Sequence, residues 1–137
     1  MKRSIALLVL LALPACAITS RDATTDLPGT SWTLVDLDGA EAVGETPPGI
    51  TFTDDGGVTG TTGCNTFNAE VAIEGSELTF GPVATTRMSC ADPALAEQEQ
   101  AFLAAIEGVS GYTIDDEGRL VLEGDATLTF EVAAEAG

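Results

Sequence analysis

Histidine is absent from this chain. Its absence removes the commonest general base, the commonest metal ligand and every Ser-His-Asp or Cys-His arrangement, so ordinary hydrolase chemistry is disfavoured and no enzymatic activity is expected. Cations are almost as scarce: 5 Lys and Arg stand against 22 Asp and Glu, a net charge of −17. Such a balance speaks against nucleic-acid binding and against electrostatic docking on anionic lipid, while it allows a cationic partner. Aromatic residues make up 5% of the chain, too few to build a sugar-stacking platform between paired carboxylates. The apolar run from Ile5 to Leu13 has nine residues, short of the roughly 20 that span a bilayer. What remains is 137 residues, 14.0 kDa, 45% hydrophobic with a mean hydropathy of +0.23. That is enough to bury one core and too little for two.

The short apolar run follows Lys2 and Arg3 and ends in Leu13-Pro14-Ala15-Cys16. A positive n-region, an apolar h-region and this ending resemble a lipoprotein leader, with cleavage after residue 15 and lipidation of Cys16. Ordinary signal-peptidase cleavage stays open as the alternative, because Ala15-Cys16-Ala17 also satisfies the small-x-small rule. Both readings place the protein outside the cytoplasm. The first is an envelope lipoprotein held to the membrane through Cys16, and Ala17 fits sorting to the outer membrane facing the periplasm. The second is a freely secreted protein. Loss of the leader removes Lys2 and Arg3 and takes the net charge to −19, leaving Arg21, Arg87 and Arg119 as cations.

Residues 16–29 are polar and aperiodic, and they read as a tether; the folded domain is expected over residues 30–133. The expected fold is mainly β: a small curled antiparallel sheet or barrel with one amphipathic helix packed on it. Strands are expected at Ser31 to Leu37, Gly49 to Thr53, Val58 to Thr62, Glu77 to Phe80, Thr85 to Met88, Tyr112 to Ile114, Leu120 to Leu122 and Thr127 to Val132. Phe67, Ala69, Val71 and Ile73 alternate with Asn68, Glu70, Ala72 and Glu74, which predicts one core face and one wet face. Leu95, Phe102, Ile106 and Val109 recur at helical spacing, so a helix is expected from Asp92 to Val109. Asp92 is its cap, Pro93 its first residue, Gly108 or Gly111 its end, and Glu97, Gln98, Glu99 and Gln100 its wet side.

Cys64 and Cys90 remain once Cys16 is assigned to lipid. An export leader and an even pair favour a disulfide between them; separate buried thiols and a reactive cysteine are the alternatives. The reactive reading lacks a histidine, a Cys-x-x-Cys or a nearby lysine. Acidic clusters do not make a calcium loop: with Asp36 and Asp38 at positions 1 and 3, the EF-hand pattern requires Gly at Glu41 and Glu at Pro47. Neither a metal nor a cofactor is expected.

Gly60-Thr61-Thr62-Gly63-Cys64-Asn65 and Thr85-Thr86-Arg87-Met88-Ser89-Cys90 resemble the META domain of HslJ-like bacterial heat-shock lipoproteins. Trp32 and Leu34, Phe52, Glu99 and Phe102 on the helix, Tyr112, and the closing Leu120-x-Leu122 and Leu128-x-Phe130 strands follow in the same order. The resemblance covers about residues 30 to 132 and implies a barrel-like fold in an envelope protein linked to heat or antibiotic stress. It supplies no catalytic mechanism and no ligand. Asn65, Arg87 and Met88 are the candidate binding or structural positions. Asn65 sits in a glycine-rich bend, where its amide is expected to bond its own backbone or adopt a left-handed conformation. Arg87 is expected to pair with a buried carboxylate, with an anionic ligand as the alternative.

These readings converge on a monomeric, non-enzymatic envelope protein that supports envelope integrity under stress by binding an envelope protein or ligand. Two alternatives stay open: an inhibitor of a cationic hydrolase such as lysozyme, and a small-ligand-binding barrel, which needs an open interior.

Overall fold

The computed structural model describes residues 26–133; the leader and the lipidation position Cys16 lie outside the described residues. The chain runs through β1 (Ser31–Leu37), β2 (Ala40–Glu41), β3 (Gly49–Phe52), β4 (Gly57–Thr61), β5 (Thr66–Glu74), β6 (Glu77–Phe80) and β7 (Ala84–Thr85). It continues through α1 (Pro93–Glu107), β8 (Val109–Ile114), β9 (Leu120–Gly124) and β10 (Thr127–Val132). Eight strands follow the order β1-β3-β4-β5-β6-β8-β9-β10, every neighbour antiparallel, and pairing of Trp32 with Val132 and Leu34 with Phe130 closes the sheet into a barrel. Closure removes the open edges that an isolated sheet would present. The two short strands lie outside the ring, β2 on β1 and β7 on β5.

Alternation decides which side chains fill the barrel. Trp32 and Leu34, Ile50 and Phe52, Leu120 and Leu122, and Leu128 and Phe130 are buried while the residues between them are not. On β5 the expected pattern holds: Phe67 is buried, Ala69, Val71 and Ile73 are half-buried, and Asn68, Glu70, Ala72 and Glu74 are exposed. Helix α1 contributes Phe102, Ala105 and Ile106 to the same core, and the Phe102 ring meets Phe67 edge-on at 5.6 Å. Leu27, within the stretch read as tether, is also core, and Gly29 N donates to Phe52 O at 2.7 Å.

The helix starts as expected. Asp92 caps it by accepting from Ala94 N at 2.9 Å, with Pro93 in the first turn. Gly108, one of the two expected ends, caps it after Glu107, and Val109, expected as its last residue, instead belongs to β8 and pairs with Gly124. A strand over Thr85 to Met88 is likewise not formed. The strand ends at Thr85, one further backbone bond runs from Thr86 N to Thr66 O at 3.0 Å, and Asn65 then takes over the backbone of Met88 in place of a ladder.

Gly60 is a place where only glycine fits. A Cβ there would lie 2.1 Å from the carbonyl oxygen of Gly49 on β3 and 2.8 Å from the Phe67 ring on β5. The missing side chain lets the two neighbours of β4 close in.

Candidate functional site

The residues singled out around Cys64 and Cys90 come together where the β4–β5 turn meets the start of α1. Thr62 N donates to Asn65 O at 2.8 Å, and Asn65 N donates back to Thr62 Oγ1 at 2.9 Å, so the turn from Thr62 to Asn65 closes on itself. Gly63 lies inside it at φ +101°, the left-handed region that glycine enters without strain.

Cys64 and Cys90 form a disulfide, their Cα atoms 5.6 Å apart and 26 positions apart in sequence. It joins the turn to the irregular segment after β7. Asn65 makes the same junction by hydrogen bonds. Its Nδ2 donates to Met88 O at 3.0 Å and to Glu99 Oε1 at 2.6 Å, while its Oδ1 accepts from Met88 N at 2.7 Å and Thr86 Oγ1 at 3.0 Å. The expected local role of Asn65 is therefore corrected: its side chain bonds a distant segment, and its backbone is not left-handed. At 4% exposed and with both ends of the amide occupied, it satisfies the rule that a buried polar group must find partners.

Glu99 completes the clasp. Its Oε1 also accepts from Thr62 Oγ1 at 2.7 Å, and its Oε2 lies 3.5 Å from Cys90 Sγ. The two sulfurs and this carboxylate lie within 4.8 Å of one another, but sulfurs bonded to each other offer no thiolate ligand. The trio therefore acts as a fastening of turn, segment and helix. Gln98, one residue earlier, is buried: its Oε1 accepts from Val43 N at 2.7 Å and its Nε2 donates to Val43 O at 3.1 Å.

Gln98 and Glu99 correct the expected wet side of the helix, since both face the protein. A signal was present in the spacing: Glu99 stands four residues after Leu95 and three before Phe102, on the apolar stripe itself. A polar residue on such a stripe needs a buried partner, and Thr62 and Asn65 supply it. Arg87 is corrected as well. It is exposed and makes no ion pair among the described residues. Met88 offers its backbone to the clasp while its side chain is 67% exposed. Among the described residues, Arg119 is the one cation with carboxylate partners: its Nε meets Asp115 Oδ2 at 2.8 Å in the β8–β9 turn, and its guanidinium meets Glu117 at 3.2 Å.

A closed antiparallel barrel with a helix packed on it, fastened at one end by a disulfide and a part-buried amide–carboxylate pair, defines a small barrel protein. The sequence model of the META domain matches residues 25–136, and the chain belongs to that family. Among solved structures it is similar to an NMR structure of a protein from Burkholderia xenovorans. That likeness has 28% identity and a TM-score of 0.64 over 80% of this chain and 85% of that one. It also resembles in fold a DUF4847 family protein from Bacteroides vulgatus, with 17% identity and a TM-score of 0.51 over 77% of this chain and 93% of the other. No curated protein sequence matches it.

Proposed function

We propose that this META-domain protein is a non-catalytic, HslJ-like envelope lipoprotein, anchored through Cys16 and supporting envelope integrity under heat or antibiotic stress by binding a partner. The observation that carries the proposal is the Cys64–Cys90 disulfide. A structural disulfide persists in an oxidising compartment, which is where a cleaved leader would deliver the chain. The absence of histidine and the engagement of Asn65 and Glu99 with each other support a binding role over a catalytic one.

Intact mass of the protein recovered from membranes of its own host, before and after reduction and alkylation, tests this reading. Diacylglycerol on Cys16, with Cys64 and Cys90 alkylated only after reduction, is the expected result. An unlipidated chain, or thiols that alkylate without reduction, would overturn the placement.

Inhibition of a cationic hydrolase is the second reading, favoured by the excess of acidic residues. It requires binding to a basic enzyme such as lysozyme at low salt and a steep loss of affinity as ionic strength rises. A small ligand inside the barrel is disfavoured, because Phe102 and Ile106 of α1 pack fully buried against the barrel side chains.

A further inference from the structure

The outer face of α1 and the β1–β2 hairpin enclose a groove of about 510 Å³, a size ordinary for small-molecule sites. We infer that this groove binds a small amphiphilic cation, an amine or quaternary ammonium carried on an aliphatic or aromatic body.

The floor is apolar. Ala94 and Ala101, two turns apart on the helix, face Leu37, Val43 and Ala126, and the small helical side chains leave the space open. Val43, at 41%, is one of three large hydrophobic residues exposed in the described chain. The rim is acidic, formed by Asp38, Glu41 and Glu97, and no Lys or Arg lines the groove. None of these carboxylates has a cationic partner among the described residues, where the ion pairs belong to Arg119 in the β8–β9 turn. An anion would meet three like charges there. A bare divalent ion is poorly served too, because these three carboxylates do not converge into a ligand cluster. A diffuse organic charge joined to an apolar body satisfies both rim and floor, as charge complementarity requires.

The groove is also held ready. Gln98 pins Val43 through both its backbone groups, at 2.7 and 3.1 Å. Asp38 is the one non-glycine residue with positive φ in the described chain, +51°, and its N–H donates to Thr127 O at 2.7 Å. Floor and rim are thus fixed before a ligand arrives, which lowers the ordering cost of binding.

Octylammonium, octyl sulfate and tetramethylammonium, titrated separately into the full-length 15N-labelled chain and followed by amide shifts, test the inference. Octylammonium is expected to shift the amides around Val43, Ala94, Ala101 and Ala126 saturably. Octyl sulfate is expected to leave them unmoved, and tetramethylammonium to bind at least about tenfold more weakly for want of the apolar body. The triple variant Asp38→Asn, Glu41→Gln, Glu97→Gln should weaken octylammonium by about tenfold or more, whereas Glu70→Gln, Glu74→Gln, Glu77→Gln on the far strands should not. Ala101→Trp, on an exposed helical position, fills the groove and should abolish the shifts while the far-ultraviolet spectrum is retained. Equal binding of octyl sulfate, shifts centred elsewhere, or equal loss from the two triple variants would each sink the proposal. None of these results depends on whether Cys16 is lipidated.

Discussion

Asn65 and Glu99 have opposite polar roles in one bond. Asn65→Ala leaves Met88 N and O without the side chain that bonded them and Glu99 Oε1 with Thr62 alone, and it is expected to destabilise the fold by about 2 to 4 kcal/mol. Glu99→Gln keeps an oxygen able to accept from Thr62 and Asn65, so a loss within about 1 kcal/mol is expected; urea unfolding of both variants measures the contrast. A Glu99→Gln loss as large as that of Asn65→Ala would show that the carboxylate charge, rather than its acceptor geometry, holds the clasp. Asp115 is a carboxylate whose ionised form the fold favours. The Arg119 backbone N–H bonded to its carboxylate is the main cause that holds it below its ordinary value of 3.8; partial desolvation opposes it, and the Arg119 guanidinium and the Glu117 N–H add to the lowering. A lowered folded value contributes stability above the unfolded carboxylate range and loses it as pH falls through the folded value. Asp115→Asn should therefore melt below the wild type at pH 7, with the gap closing under about pH 4, as thermal scans across that range would show.

Single elements depend on contacts that no local pattern displays. Strand β4 is held between β3 and β5 so closely at Gly60 that even a methyl group meets backbone, which cannot swing aside as a side chain can. Gly60→Ala is expected to cost about 3 kcal/mol or more, against a few tenths for Gly56→Ala beyond its turn strain, where nothing lies within 4 Å. The segment after β7 has no backbone pairing to β5 beyond the Thr86 N–Thr66 O bond and relies on the disulfide and on Asn65. Reduction, or replacement of Cys64 and Cys90 by serine, should remove about 3 to 4 kcal/mol in the chain-entropy account of a loop this long. Hydrogen exchange should then quicken at Thr86 and Met88 before it quickens in β9 and β10, whose pairing is independent of the clasp.

Across the whole molecule the dominant force besides burial is self-repulsion. With 22 acidic side chains against 5 basic ones, raising sodium chloride from low to physiological strength should raise the melting temperature, because screening relieves the folded state more than the expanded one. A melting temperature that falls with salt would mean that attractive pairs outweigh the repulsion, which the two ion pairs among the described residues, both in one turn, give no reason to expect. The same acidity acts unevenly. It is balanced at Arg119 and unopposed at the groove rim, so one net charge produces a neutralised turn and an acidic recess on the same barrel.

The strands and the helix were legible because their signals are local: alternation around Phe67, helical spacing of Phe102 and Ile106, a cap at Asp92 and a proline after it. The paired cysteines and the glycine-rich bend also pointed to one structural cluster. A barrel was one of the expected forms, but the register by which β1 and β10 close it was not legible, because it joins Leu34 to Phe130 across almost the whole domain. The partners of Asn65, Gln98 and Glu99 were hidden for the same reason. A hydrogen bond between residues 34 positions apart leaves no periodicity in the chain, and only folding brings its two ends within reach. Sequence alone determined most of the apolar residues that seek the interior and where the helix begins; tertiary structure decided that Leu27 joins the core and which buried polar groups meet, because their energy depends on distance in space and not along the chain.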